Sequence, residues 1–144
     1  MEDLLDKAES KTLGNCLVVG GGGFLGSHIV RRLLEREVEV INLSFSGPEN
    51  AVLREVTEAA AARSVALVAA AGNGGAGAPP AYPAAWPHVL AVTAVDARGR
   101  AYRQANQGPY IGLAAPGVGV WTAASVSGGR LKSGTSFAAP FVTA

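Results

Sequence analysis

Five short, mainly apolar runs constrain the fold of this sequence more than any other feature. They lie at 16–19, 38–43, 65–71, 89–95 and 111–115. Between the second and third runs, Leu53, Val56 and Ala60 recur at the spacing of one helix face, and Asn50 precedes them as a candidate N-cap. Runs that stay apolar along their length are typical of strands buried on both faces of a parallel sheet. The pattern predicts an α/β fold with three layers: a mainly parallel five-stranded sheet with helices on both faces.

The rest of the chain fits a single domain of 144 residues. Residues 1–13 are predicted to be a tail or a short helix, and 14–42 a βαβ unit that leads into the remainder at 38–144. Residues 97–108 are predicted to be polar and exposed. A hairpin is expected around Ser127-Gly128-Gly129, and a helix is expected to begin at Gly134.

Composition excludes several classes of function. With 12 basic and 11 acidic residues the net charge is +1, which argues against nucleic-acid or anionic-membrane partners. No apolar stretch approaches the roughly 20 residues that span a bilayer. The N-terminus lacks the pattern of a secretory signal, so the chain as written is expected to be cytoplasmic. The single cysteine, Cys16, excludes an intramolecular disulfide, and no metal-ligand pattern occurs.

A glycine-rich loop, GGGGFLGSH at 20–28, follows the first predicted strand and precedes a helical period. Gly20, Gly23 and Gly26 have the spacing at which backbone N–H groups approach a pyrophosphate. The segment 14–42 resembles the first βαβ unit of extended short-chain dehydrogenases, which implies NAD(P) as a possible cofactor. Asn42 stands where that family has the acidic residue that binds the ribose, and no tyrosine is followed by lysine four residues later. Nucleotide binding is therefore an alternative hypothesis, and reductase activity is not expected.

The second half carries a serine motif, GTSFAAP, at 134–140. Small residues at 138 and 139 allow a helix to approach the sheet closely, and Pro140 requires that the helix begin only a few residues earlier. Four segments in the same order resemble the subtilases: 40–44 with 47–48, 68–73, 82–96, and 115–117 with 134–140. Over about 105 residues this resemblance implies a serine endopeptidase that acts on peptides.

The resemblance assigns roles to particular residues. Ser136 would be the nucleophile and Asn73 the donor to the tetrahedral oxyanion. Two walls of a substrate pocket would be formed by Ser44, Phe45 and Ser46 on one side and by Ala70, Ala71 and Gly72 on the other. The bond between Tyr82 and Pro83 is expected to be cis.

The rest of the subtilase triad has no match in the sequence. The strand that would end in the catalytic aspartate ends at Gly20, and the pattern His-Gly-Thr-His does not occur. The histidines are His28 and His88, and His28 is considered as a substitute base. Since a serine without a base is a poor nucleophile, we expect little or no peptide hydrolysis. A ligand-free chimera, natural or engineered, joined at 38–44, is a further alternative, and uncovered apolar surface predicts self-association.

Overall fold

The computed structural model describes residues 16–18, 38–123 and 128–144. Seven strands are described: β1 (Cys16–Val18), β2 (Val40–Leu43), β3 (Ala66–Ala70), β4 (Leu90–Val95), β5 (Ile111–Pro116), β6 (Val120–Ala123) and β7 (Gly129–Lys132). The described helices are α1 (Ala51–Ala61), α2 (Thr135–Ala138) and α3 (Pro140–Thr143). The five predicted strands therefore all form, each within a residue or two of its expected bounds.

Strands β1 to β5 form one parallel sheet in which every strand lies beside its neighbour in sequence. A parallel pair needs a crossover between its strands, and α1 provides it between β2 and β3. The carboxyl ends of the five strands consequently share one edge of the sheet, where ligands bind in open α/β folds. The predicted fold class is confirmed, whereas the division of the chain into segments stays a prediction.

Alternate residues along the strands supply two separate apolar cores. On one face, Ile41, Leu67 and Ala91 pack with the buried side of α1, which consists of Leu53, Val56 and Ala60 as predicted. On the other face, Val68, Val92 and Ala94 pack with Ala138 and Ala139 of the C-terminal helices. Helices thus cover both faces, because the strands are apolar on both sides.

Local signals explain where several elements begin. The side chain of Asn50 accepts a hydrogen bond from Leu53 N at 2.9 Å, which is the predicted N-cap of α1. Strands β6 and β7 pair antiparallel, as the predicted hairpin requires, and the exposed side chains of Trp121 and Leu131 lie opposite each other. Ser127 of the expected turn lies outside the described residues. Within the described residues, no helix is long and apolar enough to cross a membrane.

Two expectations need correction. The segment 97–108 is not uniformly exposed, because Ala105 and Asn106 are buried; Asn106 is 3% exposed. Its Oδ1 accepts from Gly74 N at 2.7 Å and its Nδ2 donates to Pro79 O at 3.1 Å, so the buried amide has partners for both ends. The helix expected from Gly134 is divided at Ala139 into α2 and α3, and Pro140 begins the second piece.

Candidate active site

Ser136 lies in the first turn of α2, at the carboxyl edge of the sheet, and its side chain is partly exposed. The turn before it is held by a hydrogen bond from Gly134 N to Gly117 O at 2.9 Å. A Cβ on Gly117 would lie 2.6 Å from Ala94 Cβ and 2.9 Å from Ala138 Cβ. Only glycine fits there, and its absence of a side chain lets the turn after β5 lie directly against the helix that carries Ser136.

Asn73 follows β3 and is oriented by Thr135, the residue before the serine. Asn73 Oδ1 accepts from the backbone N–H of Thr135 at 2.9 Å and from the Thr135 hydroxyl at 3.2 Å. Gly72 N donates to that same hydroxyl at 3.2 Å. A backbone N–H can only donate, so the oxygen of the Asn73 amide must face Thr135. The Nδ2 group is then free to point elsewhere.

The space between Ser136 and Asn73 is left open by Gly134. A Cβ built on Gly134 would lie 3.5 Å from Ser136 Oγ and 3.6 Å from Asn73 Nδ2. The hydroxyl and the amide donor therefore face the same small volume. Ser136 N–H also lies in the first helical turn, where backbone N–H groups have no intrahelical acceptor. This arrangement can hold a carbonyl oxygen near two donors while its carbon approaches the hydroxyl.

Ser44 connects the end of β2 to the serine turn. Its hydroxyl donates to the carbonyl oxygen of Ser136 at 3.0 Å and accepts from Asn42 Nδ2 at 2.8 Å. Asn42 Oδ1, by contrast, is buried and has no hydrogen-bond partner. Sequence reasoning assigned Ser44 to a pocket wall, and the structure also gives its hydroxyl a contact that fixes the position of Ser136.

The predicted pocket walls lie at the ends of adjacent strands. The segment 44–46 follows β2, and Ala70, Ala71 and Gly72 end β3 or follow it, so both walls stand at one edge of the sheet. Phe45 lines a cavity of about 100 Å³ beside Tyr82 and Leu53. The hydroxyl of Tyr110 donates to Ala71 O at 2.8 Å and steadies the second wall. The Tyr82–Pro83 bond is cis, as expected.

His88 is not near Ser136. Its ring stacks on Trp86 at 5.8 Å between centroids, and its Nε2 lies 3.0 Å from Thr57 Oγ1 of α1. These residues belong to the α1 face of the sheet, whereas Ser136 lies on the opposite face. Burial lowers the pKa of His88, which favours the neutral ring. Within the described ranges, Ser136 Oγ makes no hydrogen bond, and His28 lies outside those ranges.

Of the four residues proposed to bind a nucleotide, Asn42 is the one that lies within the described ranges. Its side chain is 1% exposed and donates to Ser44, so it offers no open surface to a ribose. Gly20, Gly23 and Gly26 lie outside the described residues, so their role stays a prediction. No group of three metal-ligating side chains occurs in the described ranges.

Sequence reasoning missed residues that support the site without reacting. Asn106 fixes the backbone after Asn73, Thr135 orients the Asn73 amide, and Tyr110 holds the second wall. The one sequence feature that pointed to Thr135 was its place inside the GTSFAAP motif. No such feature pointed to Asn106 or Tyr110, since each acts on a residue more than 30 positions away in the chain.

Comparison with known families and proteins places this chain among its relatives. A family model described as "Subtilase family" (Peptidase_S8) matches residues 12–144. Subtilisin DY from Bacillus licheniformis is 34% identical over 109 residues, and Subtilisin Savinase from Lederbergia lenta is 36% identical over 106 residues. Each alignment covers 73% of this chain, and the chain spans 40% and 39% of those two proteins. The segment 14–42, predicted to resemble a dehydrogenase, lies entirely inside this family match.

Solved structures share the fold. The Prenylagaramide maturation protease PagA superposes with a TM-score of 0.73 at 31% identity, covering 81% of this chain and 45% of that one. The PatG macrocyclase in complex with peptide gives a TM-score of 0.72 at 27% identity, covering 81% of this chain and 37% of that one.

Proposed function

We propose that this chain, which belongs to the subtilase family, carries the nucleophile and the oxyanion donor of a serine endopeptidase. The observation that carries the proposal is that Ser136 Oγ and Asn73 Nδ2 face one small volume beside Gly134. Contacts from Thr135 and Ser44 hold both groups in place. Peptides are the proposed substrates, in keeping with the PatG macrocyclase, whose structure was solved in complex with peptide.

The proposed reaction begins at the Ser136 hydroxyl. Its oxygen bonds to the carbonyl carbon of the peptide, and the carbonyl π electrons move onto the oxygen. Asn73 Nδ2 and the Ser136 N–H donate to that oxyanion, whose charge is greatest in the tetrahedral intermediate. The hydroxyl proton passes to solvent water, and the nitrogen takes up a proton from water as collapse breaks the C–N bond and the amine leaves. A further water then hydrolyses the acyl ester and restores the Ser136 hydroxyl.

The rate of this reaction is limited by the need for a base that accepts the proton of the Ser136 hydroxyl. His88 lies on the opposite face of the sheet and bonds to Thr57, so it does not accept this proton. We therefore infer that the 144 residues by themselves hydrolyse peptides very weakly. Loss of the triad lowers turnover by on the order of 10⁶, a magnitude that comes from subtilisin itself. Oxyanion stabilisation and substrate binding would account for what activity remains.

A fluorophosphonate probe tests the proposal, because it reacts with serines whose oxyanion site is preorganised. Slow labelling of the wild-type chain is expected, together with its loss in Ser136→Ala and its retention in Ser133→Ala, the matched control three residues earlier. Equal labelling of the wild type and Ser136→Ala would contradict the assignment of the nucleophile. The variant His28→Ala tests whether His28 is the base that accepts the Ser136 proton. Slower labelling than in the wild type would assign that role to His28.

A further inference from the structure

A cavity of about 450 Å³ opens between the carboxyl ends of β4 and β5, and the proposed reaction does not use it. Its lining combines apolar and charged side chains: Asp96, Arg100, Ala101, Tyr102, Arg103 and Val118. Its volume exceeds that of the cavity beside Phe45, so it can hold a whole side chain and the adjoining backbone.

Two of the charged groups neutralise each other. The guanidinium of Arg100 donates to Asp96 Oδ2 through two nitrogens at 2.8 Å. Asp96 Oδ1 also accepts from the backbone N–H groups of Arg98 and Arg100 at 2.9 Å each. These hydrogen bonds, above all that from Arg100 N, lower the pKa of Asp96 and keep it ionised. The charges of Asp96 and Arg100 therefore cancel.

Of the charged residues that line the cavity, Arg103 is the one outside this ion pair. Across the described ranges, its guanidinium makes neither an ion pair nor a hydrogen bond. Arg103 lines the cavity together with Tyr102, Ala101 and Val118, which provide its apolar part. A guanidinium binds a carboxylate through parallel N–H donors, and the apolar part suits a short methylene stem. This chemistry fits the side chain of aspartate or glutamate.

The cavity is close to the proposed nucleophile along the edge of the sheet. Val118 follows Gly117, whose carbonyl accepts from Gly134 N, and Tyr102 packs against the cluster that contains Ala138. Asn73 follows β3, and the cavity lies one to two strands further along. With strands about 4.8 Å apart and about 3.3 Å per residue of extended peptide, this offset corresponds to about two or three residues.

We propose that this cavity is a subsite for an acidic side chain of the peptide, bound by Arg103 and placed about two or three residues from the scissile bond. The inference rests on the proposed function, since it extends that function to peptides that carry aspartate or glutamate near the cleavage point. Arg103 is a specificity residue in this account and takes no part in bond making.

Binding without hydrolysis tests the subsite. The Ser136→Ala variant is titrated with a series of fluorescent decapeptides in which one glutamate moves along an otherwise neutral sequence, and each is compared with its glutamine counterpart. Glutamate at one or two adjacent positions should bind roughly three- to tenfold more tightly than glutamine. Adding Arg103→Gln should abolish that preference, whereas Arg98→Gln should keep it, because Arg98 lies in the same loop but not in the cavity lining.

Each outcome separates this inference from the proposed function. Equal affinities at every position, or no binding of any peptide at millimolar concentration, would overturn the subsite. A preference that persists in folded Arg103→Gln would overturn the role of Arg103; circular dichroism establishes the folding. A clear glutamate preference in a chain whose Ser136 never reacts with a fluorophosphonate would keep the subsite and reject the endopeptidase proposal.

Discussion

The side chain of Asn73 accepts a hydrogen bond from the backbone N–H of Thr135, with 2.9 Å between Oδ1 and N. This contact joins residues 62 positions apart and fixes which end of the amide faces the serine. Because the oxygen is engaged, the NH₂ group is the end that faces the volume next to Ser136 Oγ. The orientation of the proposed oxyanion donor is therefore set by the residue that precedes the nucleophile.

Replacing this amide should affect acylation more than folding. We expect Asn73→Leu to slow Ser136-dependent reaction with an activated ester by about 10²–10³, a range taken from the equivalent change in subtilisin. The cause is loss of the Nδ2 donor to the oxyanion. Release of p-nitrophenol measures the rate with imidazole added as the external base, because the rate without it is barely detectable. The Ser136→Ala variant gives the background to subtract. An unchanged rate in Asn73→Leu would contradict the donor role.

The contact between Ser44 and Ser136 predicts a change in stability. In Ser44→Ala, the Ser136 carbonyl loses its donor and the buried Asn42 amide loses its acceptor. The free energy of unfolding should fall by about 1–2 kcal/mol. Urea denaturation measures it, with Ser46→Ala, an exposed serine of the same loop, as the control. Equal stability of the two variants would show that the hydroxyl does not hold the turn.

Gly117 should tolerate no side chain. A Cβ there would lie 2.6 Å from Ala94 Cβ and 2.9 Å from both Ala138 Cβ and Gly134 O, so Gly117→Ala must displace α2 or the sheet. Overpacking of this kind costs about 1–3 kcal/mol. Gly77→Ala is the matched control, because nothing lies within 4 Å of its Cβ position. Thermal unfolding should distinguish the two variants, and similar midpoints would contradict the tight packing described for Gly117.

His88 should make stability depend on pH. The Thr57 hydroxyl lies 2.9 Å from Leu53 O and 3.0 Å from Arg54 O, so it donates to one of these carbonyls and accepts from His88 Nε2. Burial lowers the folded-state pKa of His88 below its unfolded value of about 6.5. Its contribution to stability is thus complete above that value and is lost as pH falls through the folded-state pKa.

Urea unfolding of the wild type and His88→Gln at several pH values between about 8 and about 5 measures this contribution. The difference between the two proteins isolates His88 from His28 and from the carboxylates. We expect the wild type to lose more stability than His88→Gln as the pH falls. Parallel pH profiles would contradict the account of a partly buried, neutral ring.

The sequence predicted the strands and α1 because their signals are local. Continuous apolar runs, which include Ile41 and Leu67, mark the strands, and Asn50 lies next to the helix that it caps. The burial of Asn106 was not predictable, since its amide bonds to Gly74, 32 positions away. A polar residue in a polar segment carries no sign of such a partner.

The sequence motifs predicted the reactive residues of the candidate site, but not the residues whose hydrogen bonds hold them in position. Ser136 and Asn73 came from segments that resemble subtilases, whereas the hydrogen bond from Ser44 to the Ser136 carbonyl spans 92 positions. The division of the C-terminal helix at Ala139 follows from Pro140, which supplies no N–H to continue the first piece. Self-association and nucleotide binding stay predictions.

The central claim is that Ser136 and Asn73 are correctly placed for acyl transfer and that only a proton acceptor is missing. Supplying that acceptor as free imidazole tests the claim most directly. Hydrolysis of a p-nitrophenyl ester is measured with increasing imidazole, and the Ser136→Ala rate at each concentration is subtracted. The Ser136-dependent rate should be barely detectable without imidazole and should rise with its concentration. Fast hydrolysis without imidazole would reveal a base that acts on Ser136, and no Ser136-dependent rate at any concentration would show that the hydroxyl is not a nucleophile.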